Sequence, residues 1–108
     1  MTDKIIVSTT CAGVEEADRI ARQLLEKRLA ACVNILAGAR SLYRWQGAIE
    51  EAAECLLIIK SQQSLWEDLR AEIQRLHSYE VPEILLLPIG DGAPTYFNWL
   101  TNQLAPQP

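Results

Sequence analysis

The sequence predicts an α+β fold in which four strands and two long helices alternate as βαββαβ, with a short helix closing the chain. Three observations carry this reading. Apolar residues recur at helical spacing in two stretches, β-branched or apolar runs flank each of those stretches, and a Gln46-Gly47 turn joins two of the runs directly.

The first strand is the β-branched run "KIIVSTT" (4–10). Gly13 then precedes "VEEADRIARQLLEKRLAAC", where Ala17, Ile20, Ala21 and Leu24 fall on one helical face. Glu15 and Glu16 in its first turn and Lys27 and Arg28 late in it would complement the helix macrodipole, by ~0.3–1 kcal/mol per charge. "VNILAG" and "RSLYRW" (40–45) lead to the turn, and "AIEEAAECLLIIK" (48–60) leaves it, ending in the apolar run Cys55 to Ile59. This is a hairpin. Ser64 with Glu67 three residues on has the form of a capping box, and Leu65, Leu69, Ile73 and Leu76 follow along one face of a second helix that ends near His77. "EILLLPI" (83–89) is apolar on both faces, as an interior strand is, with Pro88 expected at its end or on an unpaired side. Pro94 suits the first turn of the closing helix, "TYFNWLTNQL".

That order is the split βαβ plan of ferredoxin-like domains, and right-handed crossovers place both long helices on one face of an antiparallel sheet. The opposite face then needs a cover. The hairpin from Arg40 to Lys60 also outgrows such a body: at ~3.3 Å per residue its second arm can reach ~40 Å, against a radius of gyration of ~13 Å for a 100-residue domain. An arm of that length bends sharply or extends onto another subunit, so the chain is expected to be oligomeric.

With 108 residues, 49% of them apolar, the chain has enough material for one core, and a single domain over 1–108 is expected. Its 14 acidic and 10 basic side chains give a net charge of -4, which repels phosphate backbones and argues against a nucleic-acid partner. "MTDKIIVSTT" lacks the basic lead and apolar stretch of a secretory signal, and no later run approaches the ~20 apolar residues that span a bilayer. A soluble, cytoplasmic protein without a membrane partner is expected. Cys11, Cys32 and Cys55 are odd in number and form no C-x-x-C, so reduced thiols are expected rather than a disulfide framework or zinc knuckle.

No Ser-His-Asp, H-E-x-x-H, Gly-rich phosphate loop or EF-hand pattern is present, and a single histidine leaves few routes to general acid–base catalysis, so a non-enzymatic role is expected. His77 admits two readings: a helix-end residue whose charged form the macrodipole favours, or a metal ligand. Glu83 opens the most apolar strand, where an unpaired carboxylate is costly to bury. Lys60, ending the other apolar strand, can partner it, as a structural ion pair or as a pair that orients a ligand. Tyr43 and Trp45 lie two apart and share a strand face, which suits packing or an interface more than a stacking platform. Cys11, in the loop after the first strand, is a soft-metal candidate or an idle thiol, and Cys32 and Cys55 read as core.

Taken together, "KRLAACVNI" (27–35), "SLYRWQGAIEE" (41–51), "LLIIKS" (56–61), "HSYEVPEILLLPI" (77–89) and "YFNWL" (96–100) closely resemble the CutA1 family of divalent-cation tolerance proteins, over nearly the whole chain. The resemblance implies a ferredoxin-like subunit and a tight homotrimer whose long hairpins wrap neighbouring subunits. It also implies a cytoplasmic protein linked to copper and other divalent cations, and a trimer similar to that of the PII signalling proteins, which bind small effectors between subunits. By position, His77 matches a histidine proposed as a copper ligand in the family, but Ser78 stands where a second histidine follows it. The family's proposed cysteine ligand falls at Thr9, two residues before Cys11. The resemblance therefore leaves a thinned set of His77, Cys11 and Glu83 for weak binding of Cu(II) or another divalent cation. Tyr43, Trp45, Lys60, Tyr79 and Glu83 match without departures and are expected to line a cleft between subunits. A PII-like small-ligand trimer and a purely structural trimer are the alternatives.

Overall fold

In the computed structural model, which describes residues 2–106, the first strand β1 (Lys4–Cys11) alternates as its sequence dictates. Ile5, Val7, Thr9 and Cys11 point to one face and are buried, while Ile6, Ser8 and Thr10 point to the other. Helix α1 (Val14–Glu26) buries Ala17, Ile20, Ala21 and Leu24 on the face their spacing predicts. It stops earlier than expected, and Lys27 and Arg28 lie beyond its last turn. Arg28 takes a left-handed conformation (φ 56°) that turns the chain, so that the Leu29 N–H donates back to the Leu24 carbonyl (3.0 Å) and Leu29, Ala30 and Ala31 enter the core.

Strands β2 (Cys32–Trp45) and β3 (Ala48–Gln62) form the expected hairpin. Gln46 and Gly47 both have positive φ (50° and 84°), the two-residue geometry whose twist matches that of the flanking strands. The anticipated capping box is not formed. Gln63–Leu65 make a 3-10 turn, helix α2 (Trp66–Leu76) starts from Leu65 without a side-chain cap, and Glu67 pairs instead with Arg70 at 2.7 Å. Strand β4 (Ile84–Pro88) ends at its proline, and helix α3 (Pro94–Gln103) begins with one.

The sheet is antiparallel throughout, in the order β2-β3-β1-β4. β4 is thus an edge strand rather than an interior one. Its apolar character on both faces has another cause: Ile84 and Leu86 pack on the core, while Leu85 and Leu87 lie on the face that no helix covers, 54% and 48% exposed. Ile5, Val7, Leu57 and Ile59 meet Ile20, Leu24, Leu69 and Ile73 in one fully buried cluster on the opposite face. Each contributes ~1.5–3 kcal/mol by burial. No helix among the described residues is long and apolar enough to cross a membrane.

β3 pairs with β1 only between Cys55 and Gln62, so residues 39–54 form an arm whose two strands pair with each other alone. The arm stretches the chain to 45 × 26 × 22 Å, with a radius of gyration of 14.5 Å against ~13 Å for a compact chain of this size. A bulge between Leu36 and Ala39, with Gly38 at φ 84°, sits where the arm leaves the body. Leu36, opposite Leu56, and Ala39, opposite Glu54, lie three positions apart on β2 but two on β3, so the extra residue resets the alternation. Odd-numbered Tyr43 and Trp45 therefore join even-numbered Leu36 on the uncovered face.

Candidate functional site

At the root of the arm, the uncovered sheet face and the segment after α2 enclose a groove of about 630 Å³. Tyr43 and Trp45 from β2, Glu54 from β3, and Tyr79, Glu80 and Glu83 from the α2–β4 segment line it. Four of the five expected cleft residues are thus brought together within one chain. Lys60 is not among them. The register places Lys60 opposite Ile6 and Ile84 opposite Thr9, so Lys60 lies three positions along β1 from the start of β4, ~10 Å away, with Glu83 one residue further. The expected Lys60–Glu83 pair is not formed in the subunit: Glu83 is exposed, and Lys60 donates to Asn34 Oδ1.

Glu54 was not anticipated from the sequence. It is only 8% exposed and accepts a hydrogen bond from the Tyr79 hydroxyl at 2.7 Å. Burial and that bond push the Tyr79 phenol well above its ordinary range, keeping it protonated as the donor. The signal was available in the alternation of "EEAAEC": Glu54 shares the parity of Leu56 and Ile58 and so joins the same sheet face.

His77 resolves as the end of α2, with extended backbone (ψ 141°) and a side chain wholly removed from solvent. Its Nε2 lies 2.8 Å from the Thr10 carbonyl, a contact only an N–H can make, so Nε2 donates. Its Nδ1 accepts from the Tyr79 N–H at 3.1 Å. Both ring nitrogens of the neutral imidazole are therefore engaged in holding the 77–79 turn to β1. The Ser78 N–H (2.7 Å) and hydroxyl (3.0 Å) donate to Glu16 on α1, which also accepts from the Ala12 N–H. Burial opposes the charge on Glu16, but these three donors outweigh it and hold the carboxyl below its usual range. Ser78 thus has a structural task of its own.

The candidate metal set does not fit a tight chelate. Cys11 points into the helix-covered core, is 0% exposed, and burial pushes its thiol up to about 11, so the thiolate that binds metal is suppressed. Thr9 points the same way, and its buried hydroxyl has no partner among the described residues. Glu83 lines the groove on the opposite sheet face. Strand parity therefore separates Cys11 from Glu83, and His77 has no free nitrogen to bridge them. Among the described residues, no group of three or more His, Cys, Asp or Glu is placed to hold a metal ion.

An antiparallel sheet with helices on one face, an apolar second face and a projecting arm with a groove at its root define a ferredoxin-like domain built around an extension. The chain belongs to the CutA1 family: the family described as "CutA1 divalent ion tolerance protein" matches residues 5–103. It is 45% identical over 95 residues to the divalent-cation tolerance protein CutA of Thermus thermophilus, covering 88% of this chain and 92% of that protein. It is 42% identical over 98 residues to the chloroplastic CutA of Arabidopsis thaliana, but spans only 54% of that protein's length. Among solved structures, the Thermus thermophilus divalent cation tolerance protein superposes with a TM-score of 0.92 at 42% identity, covering 94% of this chain and 99% of that one. CutA1 from Oryza sativa superposes with a TM-score of 0.94 at 39% identity, covering 96% and 95%.

Proposed function

We propose that this chain is one subunit of a cytoplasmic, non-enzymatic homotrimer that serves in divalent-cation tolerance, binding Cu(II) or another divalent cation weakly. The observation that carries the assembly is the uncovered sheet face. Leu36, Leu85 and Leu87 are 46%, 54% and 48% exposed there, in line with an arm whose Tyr43 and Trp45 face the same way. A patch of this kind on a soluble chain marks an interaction surface. The tolerance role rests on the family and on relatives such as the Pectobacterium atrosepticum divalent-cation tolerance protein CutA, 40% identical over 104 residues. Weak rather than chelating binding follows from the engaged nitrogens of His77 and the buried, protonated Cys11.

A second reading, a PII-like trimer that senses a small ligand, is favoured by the groove itself. Its volume falls within the ~300–1,000 Å³ of small-molecule sites, and its lining combines the aromatic Tyr43 and Trp45 with the buried Glu54 carboxylate. Calorimetric titration of the intact protein with Cu(II) and Zn(II), then with nucleotides and small carboxylates, separates the two readings. Metal binding weaker than micromolar supports the first. Saturable small-molecule binding with indifference to metal supports the second, and submicromolar copper binding abolished by His77→Ala contradicts the structural role of His77.

A further inference from the structure

Two charges of opposite sign are left without a counter-charge on the uncovered sheet face. Among the described residues, Glu54 is the one buried carboxylate that forms no ion pair: it is 8% exposed, and its hydrogen bond comes from the neutral Tyr79 hydroxyl. The other carboxylates without an ion pair are exposed to water. Arg28, Arg44 and Lys60 are the cations that form no ion pair among the described residues. Arg28 lies in the turn after α1, and Arg44 points to the opposite face of the arm from Tyr43 and Trp45. Lys60 stands on β3 with the parity of Glu54, Leu56 and Ile58, and so shares their face. It is half-buried, donates to Asn34 Oδ1 and lies 3.9 Å from Cys32 Sγ, neither of them a carboxylate.

Within one chain the two charges cannot meet. Six positions of β3 separate them, ~20 Å, which no pair of side chains spans. Leu56 and Ile58 lie between them, on the surface that other copies are proposed to cover. Covering it takes water from both charges, which is costly unless each finds a counter-charge in the same step. In a closed ring, every interface sets one region of a copy against a different region of the next. A carboxylate at the arm's root and an ammonium farther along β3 are then matched one to one, with none left over.

We infer that the trimer is held by an ion pair between copies, in which Lys60 of the partner subunit donates to one Glu54 oxygen while Tyr79 of the first subunit donates to the other. This inference rests on the trimer reading and goes beyond it by naming the residues that fix one copy against the next. A double-mutant cycle on the intact protein tests it, by thermal melting at one fixed concentration. Lys60→Met and Glu54→Gln should each lower the melting temperature by at least ~5 °C, and the double variant should melt no lower than the worse single variant. Unconnected sites this far apart in one chain give losses that add, so non-additivity marks contact between copies. Lys60→Arg, which keeps the charge, should lose less than half as much as Lys60→Met, which keeps only the stem. That comparison leaves Glu54 unchanged and keeps the test valid if Glu54→Gln misfolds. Additive losses, single variants that melt like the parent, equal losses for Lys60→Met and Lys60→Arg, or coupling of Lys60→Met to Glu83→Gln in place of Glu54→Gln each overturn the inference. Sedimentation of the parent separates the two ways of failing. A 12.1 kDa species ends the trimer reading and the inference together, whereas a trimeric parent with additive losses ends the inference alone.

Discussion

Replacing His77 with alanine separates a turn-holding histidine from a metal ligand in one variant. The substitution deletes the Nε2–H bond to the Thr10 carbonyl (2.8 Å) and the Nδ1 acceptor of the Tyr79 N–H (3.1 Å). Each bond contributes ~1 kcal/mol net, and a stranded partner costs ~1–3 kcal/mol when water cannot reach it. Thr10 and Tyr79 are half-buried, so water relieves part of that penalty, whereas the imidazole itself is fully enclosed and leaves a void. The expected loss is ~2–4 kcal/mol. Thermal and urea unfolding at one fixed protein concentration, with a chelator present, measures it free of any metal contribution. A loss below ~0.5 kcal/mol under chelator would refute the structural role, since removal of two buried bonds should be felt more strongly than that.

The Glu72 carboxylate, bonded by Arg75 at 2.6 Å and by Lys27 at 3.0 Å, is lowered to about 2. Its folded value lies below the ordinary 4.5, so its contribution is present above that pH and lost as pH falls toward 2. Both cations are partly exposed and screened, so Glu72→Gln should cost ~1 kcal/mol at pH 7 and little at pH 2.5, read as converging melting curves. Gly47, at φ 84° in the arm's turn, should lose ~1–2 kcal/mol on replacement by valine and much less by asparagine, measured by urea unfolding.

The elements legible in the sequence were those set by local pattern. Alternation in "KIIVSTT" and the helical spacing of Ala17, Ile20, Ala21 and Leu24 report one chain segment against one core, and Gln46-Gly47 encodes its own turn. Ser64 and Glu67 looked like a capping box because spacing alone does not reveal the 3-10 turn that moves the helix start to Trp66. The Lys60–Glu83 pairing failed for a non-local reason: both residues end apolar runs, but only the register across β1 shows how far apart those ends lie. The groove was half legible. Tyr43, Trp45, Tyr79 and Glu83 were expected together, while Glu54 lay in a run of acidic and alanine residues that was read only as one arm of the hairpin. Likewise, Ser78 was read only as a missing ligand, whereas its bonds to Glu16 depend on α1 and α2 lying side by side.

A monomer would leave Leu36, Leu85 and Leu87 of the uncovered sheet face in water beside an arm that packs on nothing of its own. Sedimentation equilibrium on the intact protein at micromolar concentration tests this directly. The predicted mass is three times the 12.1 kDa of the chain, unchanged on dilution through the micromolar range. A species of 12.1 kDa at those concentrations would contradict it.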